Sequence, residues 1–256
     1  MRRLPTLLST VFCLALTACG NATPSVPLTE RGTLGTGIVL GTSQAPVLSK
    51  AEIEQKVAAG DPDAMFQLGA MYHDGDGVPR DYARARDLFE KAGQAGERRA
   101  QFNLGLMYYK GEGVKQDYVA ARRWFTEASR NGNPRSWYEL GLMAYLGQGQ
   151  VIDFDAALEN FRKAALLGVA DAQFNLGIMA IRGEGMTQDL VEGYAWLTLA
   201  SKQDFPKAAD NLGKLSDMLS TEQRAQGQKR ADALKKDIDA AMKALPTSAI
   251  PARPVG

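Results

Sequence analysis

The sequence predicts an all-α protein, a right-handed superhelical solenoid in which one antiparallel helix pair follows another every 36 residues. Two observations carry this prediction. Several residue types recur at a spacing of 36 from Ala64 to Ala208 without an insertion or deletion, and such self-similarity is the signature of stacked repeats. The composition is also that of a folded chain, since 45% of the residues are hydrophobic and 30 basic residues face 29 acidic ones. This charge balance gives no electrostatic reason to expect a nucleic-acid partner.

The recurring positions form four main columns. A leucine followed by a glycine stands at Leu68–Gly69, Leu104–Gly105, Leu140–Gly141, Leu176–Gly177 and Leu212–Gly213. Pairs of glycines with one residue between them stand at Gly75 and Gly77, Gly111 and Gly113, Gly147 and Gly149, and Gly183 and Gly185. Aspartates follow at Asp81, Asp117, Asp153 and Asp189, and phenylalanines at Phe89, Phe125 and Phe161.

Each column has a physical interpretation in terms of two helices and a turn. Leu68 lies on the apolar stripe of a first helix, and Gly69 lets a second helix approach its backbone closely. The paired glycines end the first helix and supply positive φ in the turn. Asp81 is placed to cap the N-terminus of the second helix, and Phe89 belongs to the buried stripe of that helix.

The segment from Ala100 to Phe125, AQFNLGLMYYKGEGVKQDYVAARRWF, resembles the Sel-1-like repeat, a branch of the tetratricopeptide superfamily. The resemblance implies a repeat array over residues 50–213, made of half a unit and about four units that start at 64, 100, 136 and 172. It also implies a non-enzymatic scaffold that binds other proteins.

The chain loses the repeat after Leu212. Ser220 and Gln223 form a capping box that opens a helix running to about Ala244. We therefore expect a C-terminal capping helix within residues 214–245, covering the open end of the array as solenoids require. Residues 246–256 carry three prolines and no periodicity, which predicts a disordered tail.

The N-terminus has the features of an export signal. Arg2 and Arg3 precede a short apolar run from Leu7 to Leu16, which is too short to span a bilayer. The following Leu16–Cys19 stretch resembles a bacterial lipobox, so we expect a signal peptide over residues 1–18 and acylation of Cys19. The alternative is an ordinary secretory signal with an incidental cysteine.

The lipobox resemblance predicts where the folded part is held. Residues 19–49 are rich in Pro, Gly, Ser and Thr and are expected to form a flexible tether from the acylated cysteine. By resemblance to Gram-negative lipoproteins, Gly20 after the cysteine favours sorting to the outer membrane. The prediction is a bacterial cell-envelope protein, lipid-anchored in the outer membrane and facing the periplasm.

The residues offer no catalytic, cofactor or metal site. His73 is the only histidine, and without a second histidine or a thiol in the mature chain the usual zinc sites cannot form. The run Asp74–Gly77 suggests calcium, but an EF-hand loop counted from Asp74 would have Ala85 in place of its bidentate glutamate. Neither Ser-x-x-Lys nor Lys-Thr-Gly occurs, which argues against a β-lactam-type hydrolase.

The candidate binding surface is the inner face of the array. In related solenoids the first helix of each unit lines this face, and a groove of aromatic and aliphatic side chains there suits a partner helix or an extended peptide. The candidate residues are Phe66, Phe102, Tyr138, Phe174, Leu106, Leu142, Ile178, His73, Tyr109 and Tyr145. Core packing is the alternative interpretation of the aromatic column Phe66, Phe102, Tyr138 and Phe174. The column of Tyr109 and Tyr145 is interpreted as contact surface.

These features lead to one main functional hypothesis and two alternatives. The main hypothesis is a scaffold or adaptor lipoprotein that binds an envelope protein or peptide through the concave face. The first alternative is a binder of peptidoglycan or exopolysaccharide, for which stacked aromatic rings would also serve. The second and less favoured is the β-lactam-type hydrolase. No cofactor is expected under the main hypothesis.

Overall fold

A computed structural model describes residues 48–244, and the predictions for the signal segment, Cys19, most of the tether and the tail lie outside this range. The described part contains eleven α-helices and no strand. Their bounds are α1 Lys50–Ala58, α2 Pro62–Asp74, α3 Tyr82–Gln94, α4 Arg98–Lys110, α5 Tyr118–Arg130, α6 Pro134–Leu146, α7 Phe154–Leu166, α8 Ala170–Arg182, α9 Leu190–Ser201, α10 Pro206–Met218 and α11 Thr221–Ala244. The all-helical prediction is confirmed.

The helices form four units of one antiparallel pair each: α2–α3, α4–α5, α6–α7 and α8–α9. Each first helix ends at a left-handed glycine, for example Gly75 with φ 76° and Gly111 with φ 79°. Each second helix begins behind an aspartate whose side chain accepts backbone N–H bonds; Asp117 accepts from Val119 and Ala120, both at 2.9 Å. The predicted turn and cap positions are therefore confirmed.

The leucine–glycine and phenylalanine columns meet at a single contact within each of the first three units. A Cβ atom added to Gly105 would lie 2.5 Å from the ring of Phe125, and one added to Gly141 would lie 2.5 Å from the ring of Phe161. In the fourth unit Leu197 takes the place of the ring, 2.9 Å from a Cβ on Gly177. The close approach predicted at these glycines is thus made by a side chain of the second helix.

The helices after the fourth unit depart from the predicted arrangement. Helix α10 crosses the boundary predicted between residues 213 and 214, and it packs on α9 in the position of a fifth first helix. Helix α11 begins behind the predicted capping box, in which the Ser220 N–H donates to Gln223 at 2.9 Å and the Gln223 N–H donates to Ser220 at 3.1 Å. It then packs along α9 and reaches α7.

The end of the array is therefore covered by α10 rather than by α11. Leu197 of α9 and Leu215 of α10 share one buried cluster. Leu234 and Ile238 of α11 instead join the cluster of Phe161 and Trp196, between the second helices α7 and α9. The apolar stripe predicted along α11 is buried, but it packs against α7 and α9 and not over the end of the array.

Candidate interaction surfaces

The aromatic column that begins with Phe66 packs inside the protein. Phe66 and Tyr138 are each only 8% exposed, and Phe102 and Phe174 are half-buried. Each ring faces another ring at a centroid distance between 5.3 and 5.8 Å; the pairs are Phe66–Phe89, Phe102–Phe125, Tyr138–Phe161 and Phe174–Phe205. This geometry agrees with the alternative interpretation of the column as core packing.

The column of His73, Tyr109 and Tyr145 lies at the C-terminal ends of three first helices, where consecutive units meet. The Tyr145 hydroxyl donates to Glu184 in the turn of the next unit at 2.9 Å. The imidazole Nε2 of His73 lies 3.1 Å from Glu112, the corresponding turn residue. In both contacts the partner lies 39 residues further along the chain, at the middle of a Gly-x-Gly turn.

The rings of this column also pack edge-on or tilted against second helices. His73 meets Tyr82 at 5.3 Å, Tyr109 meets Tyr118 at 5.4 Å, and Tyr145 meets Phe154 at 5.4 Å between centroids. Burial raises the pKa of Tyr145, and the Glu184 carboxylate raises that pKa further. His73 and Tyr145 thus contact the turn of the next unit, and all three rings pack against second helices.

The aliphatic row Leu106, Leu142 and Ile178 is a partly exposed part of the predicted inner face. Each residue is half-buried, and each packs with one side on a core cluster of its unit. The three stand at the same position in consecutive first helices. They place one partly exposed aliphatic side chain in each of three consecutive units.

A second accessible apolar surface, missed in the sequence reasoning, lies on the turn of the third unit. We call it the aliphatic turn: Leu146, Val151 and Ile152 are 37%, 84% and 59% exposed. The other three units carry polar residues or proline at the same positions, namely Asp74, Lys110 and Arg182; Pro79, Lys115 and Thr187; and Arg80, Gln116 and Gln188. A comparison of turn positions between units could have found this surface, because three of them become aliphatic in one unit alone.

Two other features, a metal-binding cluster and a membrane-spanning helix, are absent from residues 48–244. No group of three or more His, Cys, Asp or Glu side chains in this range could hold a metal ion. None of its helices combines the length and hydropathy needed to cross a membrane.

Solved structures similar to this chain are repeat proteins of the same kind. A protective antigen of uropathogenic Escherichia coli with an SLR fold is 31% identical, with a TM-score of 0.67 over 73% of this chain, but this chain covers only 41% of that antigen. A Sel1 repeat protein from Oxalobacter formigenes is 27% identical, with a TM-score of 0.64 over 75% of this chain and 78% of its own length. The comparison with curated proteins gave no match.

The family model of the Sel1 repeat matches four consecutive segments, residues 62–97, 98–133, 136–169 and 170–205. These segments begin at or near the starts of α2, α4, α6 and α8, and each spans one helix pair. Together they cover more than half of the 256 residues. The chain is a member of the Sel1 repeat family.

Proposed function

We propose that this protein is a non-enzymatic scaffold that binds a partner protein or peptide through its first-helix face. This is the face of the repeat array formed by the first helices of the units, α2, α4, α6 and α8. Sel1 repeats generally mediate protein–protein interaction. The observation that carries the proposal is the aliphatic row Leu106, Leu142 and Ile178, which repeats once per unit across three units. An apolar row with one repeat per helix pair suits a segment that lies along several units.

The aliphatic turn supports the same function at a second place. Val151 and Ile152 project more than half of their surface into solvent, and exposed aliphatic residues that adjoin one another favour a contact with another protein. The aromatic rings offer less support for a peptidoglycan or exopolysaccharide ligand, because Tyr109 and Tyr145 pack against rings of second helices.

The proposal includes attachment to the cell envelope. Cleavage before Cys19 and acylation of its sulfur would hold the array near the outer membrane, facing the periplasm. The supporting feature is the segment Leu16–Cys19 after a short apolar run. A Cys19→Ser variant should move from the membrane fraction to the soluble fraction of the cell; unchanged membrane association would contradict the anchor.

Site-specific photo-crosslinking tests the binding surface. A photoreactive amino acid is placed at Leu142 on the first-helix face, at Val151 on the aliphatic turn, or at the exposed control position Ala240 on α11. We expect one discrete crosslinked protein from Leu142 and none from Ala240, with circular dichroism showing equal helix content in all three variants. The same product from Val151 would extend the contact to the aliphatic turn.

The outcome also separates the alternatives. Crosslinks from Val151 alone would move the contact to the aliphatic turn and contradict the first-helix face. No discrete product from either position would contradict both surfaces, and sedimentation of the purified protein with peptidoglycan would then favour the polymer ligand.

A further inference from the structure

The joint between the first two units contains the only histidine of the chain. His73 lies near the end of α2, and its side chain is 22% exposed. Its Nδ1 atom is 2.7 Å from the carboxylate of Asp74, and its Nε2 atom is 3.1 Å from the carboxylate of Glu112 in the turn after α4. Both ring nitrogens therefore face carboxylate oxygens.

The protonation state of the imidazole determines how many of these contacts are hydrogen bonds. An ionised carboxylate only accepts, and a neutral imidazole carries one N–H, so the neutral ring can donate to one partner only. Its second nitrogen would then direct a lone pair at the other carboxylate. The imidazolium ion donates from both nitrogens and satisfies both partners at once.

The remaining charged and titratable groups around the ring come from each helix packed there. Tyr82 of α3 presents its ring at 5.3 Å, and the Arg80 guanidinium lies over that ring and donates to the Asp74 carbonyl at 3.4 Å. Lys110 of α4 donates to Glu112 at 3.3 Å. The contact to Asp74 is the shorter one, 2.7 Å against 3.1 Å to Glu112, and this favours the neutral tautomer that keeps its proton on Nδ1. In that tautomer His73 has no N–H for Glu112, which keeps Lys110 as its cationic partner.

We propose that His73 is a proton-operated latch between the first and second repeat units: its imidazolium form bonds Asp74 and Glu112 together and holds the two units, and its neutral form releases the turn that carries Glu112. The pair Tyr145–Glu184 joins the third and fourth units without this property, because a phenol keeps its proton through the neutral range. A proton dependence in the neutral range is therefore expected at the joint of His73 and not at the joint of Tyr145.

The charges act in the direction that the latch requires. The Glu112 contact is the main cause that raises the pKa of His73 above its ordinary value, and the His73 contact is the main cause that lowers the pKa of Glu112. A raised histidine pKa contributes stability that is complete below the ordinary value of 6.5 and is lost as the pH rises through the folded-state pKa. The lowered glutamate pKa adds stability that is present above 4.5 and is lost in stronger acid.

The first measurement is an NMR titration of the full chain, in which the single imidazole gives one unambiguous set of ring signals. We expect a midpoint above 6.5 in the parent protein and a lower midpoint in Glu112→Gln. A midpoint at or below 6.5 in the parent, or one that Glu112→Gln leaves unchanged, would overturn the latch.

The second measurement is amide hydrogen exchange one pH unit below and one above that midpoint, corrected for the intrinsic rate. The Asp117 N–H, bonded to the Tyr108 carbonyl at 2.9 Å, reports on the turn that carries Glu112. The matching Asp189 N–H, bonded to the Ala180 carbonyl at 2.9 Å, reports on the turn of Glu184 and is the internal control.

Protection of Asp117 should fall about threefold to tenfold across the titration, while protection of Asp189 stays constant. His73→Tyr, which installs the residue found at Tyr109 and Tyr145, should abolish the change at Asp117. If His73→Tyr does not fold, Glu112→Gln provides the same comparison. Constant protection at Asp117, or an equal fall at both turns, would refute the latch.

Discussion

Glycine and phenylalanine act as one structural unit in the first three repeats. Phe89, Phe125 and Phe161 are at most 1% exposed, and each ring lies on the backbone of the glycine in its partner helix. A helical glycine normally costs about 1 kcal/mol relative to alanine. This cost is offset because a side chain at the glycine would displace a fully buried ring.

Gly141→Ala should lower the stability of the protein, whereas Gly213→Ala should raise it. The added methyl group at 141 would lie 2.5 Å from the ring of Phe161, and overpacking of this kind costs about 1–3 kcal/mol. At 213 a Cβ atom meets nothing within 4 Å, so the substitution should contribute up to about 1 kcal/mol through helix propensity. Urea unfolding followed by circular dichroism checks both, and equal effects of the two changes would contradict the ring contact.

Side-chain contacts between units were harder to predict than the columns themselves. The columns identify turns, caps and the buried stripe because each depends on local spacing. The bonds from His73 to Glu112 and from Tyr145 to Glu184 join residues 39 apart, three more than the repeat. That offset follows from how consecutive units stack, so the sequence interpretation assigned these residues to a partner-binding surface instead.

Tyr145 is a poor position for a test of partner binding because it already has partners inside the protein. Its hydroxyl already donates to Glu184 and lies near Arg182. Tyr145→Glu would set two carboxylates against each other inside the joint, so a loss of partner binding in this variant would report on stability as well as on contact. Leu142 and Val151 are better positions for separating binding from folding.

At the scale of single helices, the N-caps of the first helices change in character along the array. The side chains of Asp61, Glu97 and Asn133 accept backbone N–H bonds at the starts of α2, α4 and α6. Val169 and Phe205 make no such bond at the starts of α8 and α10. Val169 packs instead on the cluster that includes α11, and Phe205 packs on Phe174. At the N-termini of α8 and α10, apolar packing therefore takes the place of a side-chain cap.

The caps of the second helices remain polar throughout, and Asp153 shows what one of them contributes. Its carboxylate accepts the Ala156 N–H at 2.9 Å. Asp153→Ala should destabilise the protein by about 1 kcal/mol, while Asp153→Asn keeps an acceptor and should cost much less. Thermal unfolding compares the two variants, with hydrogen exchange at the start of α7 as the local readout. An Asn variant as unstable as the Ala variant would show that the bond is not the source of the stability.

At the scale of the whole molecule, the sequence predicts the array well and its C-terminal covering less well. Ala208, Leu212 and Gly213 keep the repeat register, and α10 accordingly takes the position of a fifth first helix. The apolar stripe of α11 predicts which face of that helix is buried but not its partner. The partner is the side of α7 and α9, where Trp196 is only 2% exposed.

This arrangement implies that α11 can be detached while the repeats stay folded. Leu234 is 4% exposed and packs among the residues of α7 and α9. Leu234→Asp would bury a carboxylate in this cluster, and such a change costs about 3–5 kcal/mol. We expect α11 to separate from α7 and α9. Tryptophan emission should then shift to longer wavelength, and trypsin should cleave within α11. The protein should also self-associate in size-exclusion chromatography. Ala240→Asp, at an exposed position of the same helix, should leave all three unchanged; cooperative unfolding of the whole array by Leu234→Asp would instead show that α11 is integral to the solenoid.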